Sequence, residues 1–397
     1  MFTKVKVSDK IYYLGVNDRR KNLFENLWPL PNGVAYNSYL IADEKTALMD
    51  TVESGSDSSF TERVADALSG RDLDYLVINH MEPDHSGEIG AIVSRWPGVR
   101  IVGNAKTFGI LKNYYDCSDR LMEIKDGDTL ELGHHSLRFI LTPWVHWPET
   151  MMSYDTTEKI LFSGDAFGSF GTLDGGVFDD EIEFDRYYLD DMRRYYSNIV
   201  GKYGGMVQKA YAKLADCQIK TICSLHGPIW RTDPQRVLSL YDKWSRQEAE
   251  KAVVIVFASM YGNTETMADY IARRVSEAGV RDIRVYDASK THVSYLISQI
   301  WRAKGLILGS CAYNGFMHPS MEHLTTELTH YGIKEKALGL FGSFSWNGGG
   351  VRSLKCFAET ASLPLVADPV EIAGRPDSEK LALCDAMAAA VAAETLK

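Results

Sequence analysis

None of the six cysteines belongs to a C-x-x-C pair; Cys117, Cys217, Cys223, Cys311, Cys356 and Cys384 stand singly along the chain. That spacing excludes rubredoxin-type and zinc-ribbon clusters and thioredoxin-type redox motifs, and reads as reduced, mostly buried thiols of a cytosolic protein. Apolar runs of membrane-spanning length are missing, and the opening MFTKVKVSDKIYYLG lacks the apolar core of a secretory signal. The expected location is therefore the cytoplasm, without membrane contact. Long basic runs are missing too. A net charge of −10 argues against nucleic acid as the main partner, because phosphate binding needs clustered Lys and Arg. The chain shows neither an internal repeat nor a low-complexity segment.

What is present is length enough for two cores, 397 residues with 45% hydrophobic and 24% charged, the balance of a globular protein. The two halves have different texture. Up to about residue 250, short strands mix with helices and the histidines sit near strand ends. From residue 253 strand and helix alternate regularly. Residues 253–257 form a continuous apolar run, as in a strand buried on both faces, and residues 264–278 follow with helical spacing. Residues 283–286, 305–308 and 337–341 supply further strands, and residues 379–396 read as one closing Ala-rich helix. This alternation predicts a parallel sheet with helices on both faces. The charged stretch YDKWSRQEAEK, residues 241–251, reads as a helix end plus a short linker. The expected domains are 1–250 and 251–397.

The densest chemistry lies at His80-Met81-Glu82-Pro83-Asp84-His85, between an apolar strand-like run at 73–78 and a helical pattern at 87–96. A loop at a strand end can aim several side chains at one centre, whereas a regular strand sends neighbours to opposite faces. His146, Asp165 and His226 each also follow an apolar strand-like stretch. Four strand ends thus offer seven candidate ligands, where loops are free to specialise. Seven nitrogen and oxygen donors exceed what one tetrahedral zinc needs and suit two metals sharing a carboxylate. The set is hard enough for redox iron, with zinc and manganese left open by affinity alone. His134 and His135, after Gly133 in a polar turn, read as surface residues.

Three loops in the second half share a different chemistry. Ser259-Met260-Tyr261-Gly262-Asn263-Thr264 leaves the first buried strand and opens a helix, where backbone N–H groups and hydroxyls can surround a phosphate. Without a P-loop lysine or a dinucleotide glycine spacing, the loop suits a monophosphate such as FMN. Cys311-Ala312-Tyr313-Asn314-Gly315 and Ser343-Phe344-Ser345-Trp346, followed by Gly348 and Gly349, leave the next strands. Their glycines allow close backbone approach to a flat ring, and Tyr313 and Trp346 can stack on it or edge it.

The run H-x-[HE]-x-D-H with distant His, Asp and His resembles the metallo-β-lactamase fold, whose hydrolytic members generally carry His where this chain has Glu82. That change, together with the flavodoxin-like loops downstream, resembles the flavodiiron proteins, over nearly the whole chain. Cys311-Ala312 departs from the Pro-Thr expected in the middle flavin loop and puts its shape in question. The resemblance implies a mixed α/β and α+β chain: an N-terminal metallo-β-lactamase-like αββα sandwich and a C-terminal flavodoxin-like doubly wound sheet. It implies an oxidoreductase that reduces O2 to water or NO to N2O at a non-haem di-iron centre, with electrons delivered through FMN. His80, Glu82 and His146 would hold one iron, and Asp84, His85 and His226 the other, with Asp165 bridging. Tyr195 or Tyr196 would donate a hydrogen bond nearby. A separate rubredoxin or reductase would supply electrons, and head-to-tail homodimers, or dimers of them, would bring one chain's flavin to the other's irons. Two alternatives stay open: a zinc hydrolase fused to a flavodoxin domain, and an electron-transfer or oxygen-sensing protein that does not turn over.

Overall fold

The computed structural model describes residues 4–397, so the first three residues of the N-terminal run discussed above lie outside the described residues. The chain divides into two compact units, Met1–Ser245 and Arg246–Lys397. The helix Pro234–Ser245 closes the first and the strand Glu250–Ala258 opens the second.

Two mixed sheets build the first unit. One runs in the order Val5–Lys6, Ile11–Tyr13, Tyr39–Ala42, Thr46–Met49, Tyr75–Val77, Arg100–Gly103, Leu121–Glu123. The other runs Thr129–Glu131, Ser136–Leu141, Met151–Asp155, Ile160–Phe162, Thr221–Cys223. Each starts as antiparallel hairpins and ends in parallel pairs, Thr46–Met49 with Tyr75–Val77 in the first and Ile160–Phe162 with Thr221–Cys223 in the second. Their central strands are buried throughout. The sheets meet through side chains. Tyr39 packs edge-on against Phe162 with ring centres 5.5 Å apart, and Ser153 Oγ donates to Asn79 Oδ1 at 2.7 Å. This is the αββα sandwich expected, with helices such as Phe60–Leu68 and Gly204–Leu214 covering it.

The second unit is a parallel sheet in the order Asp282–Asp287, Glu250–Ala258, Ala303–Tyr313, Ala337–Phe344, Val370–Ala373, with the first strand in sequence second in space. That is the flavodoxin-like order, in which ligands sit beyond the carboxyl ends of the strands. Val253, Ile255 and Phe257 point to one face, against Met267, Ile271, Val275, Met387 and Val391. Two features differ from the sequence reading. The edge strand Val370–Ala373 was not foreseen; only Ile372 in it is buried, so its apolar signal is short. The closing helix is broken into Ser378–Ala382 and Asp385–Leu396, because Asp377 caps a separate first turn and the chain then folds Cys384 into the core beside Met387 and Ala388 while Leu383 stays exposed.

All six cysteines are unpaired, four of them buried. Among the described residues no helix is long and apolar enough to cross a membrane.

Candidate metal and flavin sites

The loops that leave carboxyl ends of strands in both sheets of the first unit converge. His80 to His85 follow Tyr75–Val77, Asp165 follows Ile160–Phe162, His226 follows Thr221–Cys223, and His146 lies beyond Ser136–Leu141. All seven expected side chains come together, each almost fully buried. They form two groups, His80, Glu82, His146 and Asp165 in one and Asp84, His85 and His226 in the other. In the first, Glu82 Oε2 lies 3.1 Å from His80 Nε2 and 3.0 Å from His146 Nε2. In the second, Asp84 Oδ2 lies 3.2 Å from His85 Nε2 and 3.3 Å from His226 Nε2.

Asp165 divides its oxygens between them. Oδ2 faces His146 Nε2 at 3.1 Å and His80 Nε2 at 3.6 Å, while Oδ1 faces His85 Nε2 at 3.0 Å and His226 Nε2 at 3.8 Å. His85, although adjacent in sequence to Asp84, points to the same centre: Pro83 starts a short helical turn, Pro83–Ser86, that carries both side chains inward.

These contacts suit a cation. His85 Nε2 and His226 Nε2 stand 3.0 Å apart, so either a ring hydrogen is shared between them or a cation takes its place. Both oxygens of Asp84 and Oδ1 of Asp165 are buried without a hydrogen bond. Two donors each ~2.1 Å from one ion and at right angles lie ~3 Å apart, the spacing found here. In the absence of an ion, protons supply the positive charge. Burial opposes ionisation of His80, yet Asp165, Glu149 and Glu82 raise it well above the ordinary value; burial opposes ionisation of His146 likewise, and Asp165 and Glu82 push it up to about 9. Asp165, despite burial, is held well below the usual carboxylate range by His85 and His80. Two divalent ions meet the same demand for charge.

A surrounding shell orients the donors. Glu149 Oε1 accepts from His80 Nδ1 at 2.8 Å and from Met81 N at 3.0 Å, and the Ala35 carbonyl accepts from His226 Nδ1 at 2.8 Å, so both rings turn Nε2 to the centre. Asp50 takes Asn79 N at 2.7 Å and His80 N at 3.1 Å and fixes the start of the ligand loop. Glu25 brings its carboxyl against Glu82, where desolvation and the charge of Glu82 push it up to about 7. Sequence reasoning missed all three. Asp50 ends an apolar strand as Asp165 does and was legible by that pattern; Glu149, three residues after His146, was legible more faintly; Glu25 carries no local signal.

Of the two tyrosines, Tyr195 is the one at the site. Its ring centre lies 5.3 Å from that of His226, and its hydroxyl is buried without a hydrogen bond. Tyr196 packs on Tyr241 instead, ring centres 4.8 Å apart. His134 is exposed as expected, but His135 is not: it is fully buried, because Asp43 from the other sheet takes both its backbone N–H and its ring Nδ1.

In the second unit the loops 259–263, 311–315 and 343–347 line a cavity of about 560 Å³, within the usual range for cofactor sites. Among the residues expected there, Gly262, Thr264, Gly348 and Gly349 lie off the wall. They shape it instead. Gly262, at φ +87°, turns the chain into the helix Asn263–Glu277, and its N–H donates to Ser259 Oγ at 3.1 Å. Thr264 is buried and its hydroxyl pairs with that of Ser343 at 2.9 Å, bracing two loops. A Cβ on Gly349 would come within 2.3 Å of the Gly315 carbonyl, so only glycine lets those two loops touch. Asn347 joins the wall.

The middle loop, whose shape Cys311-Ala312 left open, is a hairpin. The strand Ala303–Tyr313 continues through both residues and pairs back with Phe316–Met317 around Asn314 and Gly315, both at positive φ. This is the two-residue Asn-Gly turn, a signal present in the sequence. Cys311 and Ala312 thus offer strand backbone to the cavity. Trp346 and Tyr261 are each 91% exposed at its rim within this unit, flat apolar faces that fit a stacked ring, and the wall holds no lysine or arginine, so the helix N-terminus is what fits a phosphate.

Residues 34–227 match the family described as ODP family beta lactamase, and residues 255–380 match Flavodoxin. An anaerobic nitric oxide reductase flavorubredoxin of Escherichia coli is 30% identical over 386 residues, 96% of this chain and 80% of that protein. The rubredoxin oxygen:oxidoreductase of Desulfovibrio gigas superposes with a TM-score of 0.93 at 29% identity, covering 99% of each chain. A flavo di-iron protein of Thermotoga maritima superposes with a TM-score of 0.88 at 26% identity, covering 99% of this chain and 98% of that one.

Proposed function

The chain belongs to the flavodiiron proteins, and on that premise we propose how its own residues serve the reaction. It is an oxidoreductase that uses FMN and a non-haem di-iron centre to reduce O2 to water and/or NO to N2O. When bound, the irons supply gas binding and the flavin supplies electrons. His80, Glu82 and His146 would hold one iron, Asp84, His85 and His226 would hold the other, and Asp165 would serve both. The observation that carries this reading is the division of Asp165: each of its oxygens faces a different histidine set. Glu149 and the Ala35 carbonyl keep Nε2 of His80 and His226 turned inward. Tyr195 offers a buried hydroxyl beside the second set. Glu82 in place of a third imidazole gives that centre an anionic donor, which favours iron over zinc.

In the second domain the three loops would hold FMN, with the N-terminus of the helix Asn263–Glu277 to take its phosphate and Tyr313 and Trp346 to offer faces to its ring. Electrons come from a separate protein such as rubredoxin or a reductase, in the cytoplasm. The test is side-by-side O2 and NO consumption by the anaerobically reduced protein, with iron and flavin counted. A flavin-bearing zinc protein that consumes neither gas would refute the reading in favour of the hydrolase, and an iron protein that consumes neither would favour a sensor.

The working form is a head-to-tail homodimer, alone or paired, in which one chain's flavin serves the other's irons. Let one variant lack iron (His80→Ala with His146→Ala) and another lack flavin (changes at Ser259 and Thr264). Random reassembly of equal amounts gives about half mixed dimers with one working junction of two, hence roughly a quarter of wild-type activity. Activity near zero from well-formed, cofactor-loaded mixed dimers would reject transfer between chains.

A further inference from the structure

At the other end of the second sheet from the di-iron loops lies a second group of metal donors. The strands Ser136–Leu141 and Met151–Asp155 pair Leu141 with Met151 near His146, and Leu137 with Asp155 at the far end, four strand residues and so ~14 Å away. There His135, Asp155 and Glu158 present ligand atoms that all lie within 4.8 Å of one another.

We propose that these three side chains bind a divalent cation of the zinc class as a structural clip, separate from the catalytic irons. The ring of His135 is oriented by its neighbour. Asp43 is buried, yet the ammonium of Lys10 and two N–H groups of His135 hold it well below the usual carboxylate range. An ionised carboxylate only accepts, so the ring hydrogen sits on Nδ1, which is 3.0 Å from Asp43 Oδ2. Nε2, which carries a lone pair when the ring is neutral, is fully buried and without a hydrogen bond.

That lone pair does not face a donor. It faces Glu158 Oε1 at 3.7 Å, too long for a hydrogen bond, while Glu158 Oε2 is itself buried without a partner. Asp155 accepts Thr157 N at 3.1 Å on Oδ1 and Glu158 N at 3.0 Å on Oδ2, which leaves each oxygen a free lone pair. An imidazole nitrogen and two carboxylates with ligand atoms within 4.8 Å of one another, two of the three residues fully buried, call for positive charge among them, from a cation or from a proton on Nε2. A carboxylate on Nδ1 with Nε2 aimed at a metal is the arrangement that orients histidine ligands. One imidazole and two carboxylates around a tetrahedral ion with ~2.1 Å bonds need donor separations of ~3.4 Å, a few tenths of an ångström inside the present His135–Glu158 spacing. The half-buried Glu158 side chain has the freedom to close that gap. The ion would tie the turn after Met151–Asp155 to the turn before Ser136–Leu141 and, through Asp43, to the first sheet.

The test uses the iron- and flavin-loaded protein. Wild type, Glu158→Gln and His135→Gln are dialysed against zinc, and zinc, iron and FMN are counted per chain while thermal unfolding is followed. Wild type should retain one zinc in addition to its iron and unfold at higher temperature with zinc than without. Both variants should bind zinc at least ~10-fold more weakly and lose the zinc-dependent shift, with iron and FMN unchanged. Zinc that only replaces iron, or equal zinc in all three proteins, overturns the proposal. So does nitrogen NMR that finds both ring nitrogens of His135 protonated after zinc treatment, since a proton then does the work assigned to the ion. Glu158→Gln changes one atom of a partly exposed side chain, so a folding failure of His135→Gln leaves the comparison intact.

Discussion

Replacing Asp165 by Ala removes, among the described residues, the only side chain that faces both histidine sets. Its Oδ2 stands 3.1 Å from His146 Nε2 and its Oδ1 3.0 Å from His85 Nε2, so an ion in either set touches this carboxylate. Two divalent ions ~3.5 Å apart repel by about 20 kcal/mol at an effective dielectric of ~20, and a shared anion between them offsets that repulsion. If only a tenth of it went uncompensated in the variant, ~2 kcal/mol, the second ion would be held ~30-fold more weakly. The assay is iron and FMN per chain after passage through a mild chelator, for wild type, Asp165→Ala and Asp165→Asn. Iron in Asp165→Ala should fall to one per chain or fewer. Asp165→Asn, which keeps one neutral oxygen donor, should fall between. FMN should not change, since the flavin loops lie in Arg246–Lys397. Two tightly held irons in Asp165→Ala would refute the bridge and with it the charge argument.

Glu82→His should leave a folded protein that prefers zinc over iron and no longer reduces gas, because an imidazole replaces the anionic donor; metal content and gas consumption decide it, and turnover near the wild-type rate would show that Glu82 does not define the redox metal. Glu149→Gln should weaken metal retention ~10–100-fold without touching a ligand, since it loosens the Nδ1 contact that orients His80, as read by chelator competition. In the metal-free protein, His146 is pushed up to about 9 by Asp165 and Glu82 despite burial, so it contributes stability that is full below pH ~6.5 and lost as pH rises through about 9. The metal-free protein should therefore lose Tm across that window, and the iron-loaded protein, whose histidines carry no such proton, should not.

The candidate metal site was legible because its seven side chains sit at a recurrent place, just past an apolar strand. Backbone direction changes there, so side chains adjacent in sequence can converge, and Asp84 and His85 do so on the short turn Pro83–Ser86. The parallel sheet of the second unit was legible for a related reason. A strand buried on both faces has no polar alternation, and seven consecutive residues of Glu250–Ala258 are buried. Val370–Ala373 buries one residue of four and left no such trace.

What escaped the sequence depends on distant partners. Asp50 and Asp165 end apolar strands in the same local pattern, yet Asp165 faces four imidazoles while Asp50 turns to the backbone of Asn79 and His80; the loop that each meets decides. His135 shows the same dependence at the opposite sign of expectation. Glycine and two histidines in a polar turn predict solvent, and for His134 that holds. His135 is drawn inward because an ionised Asp43, 92 residues earlier, offers one oxygen to both its N–H groups. An aspartate buried beside a lysine must be satisfied, and the nearest donors are those of this turn. Burial of His135 is thus a consequence of the first sheet's charge, and no window of sequence around residue 135 contains its cause.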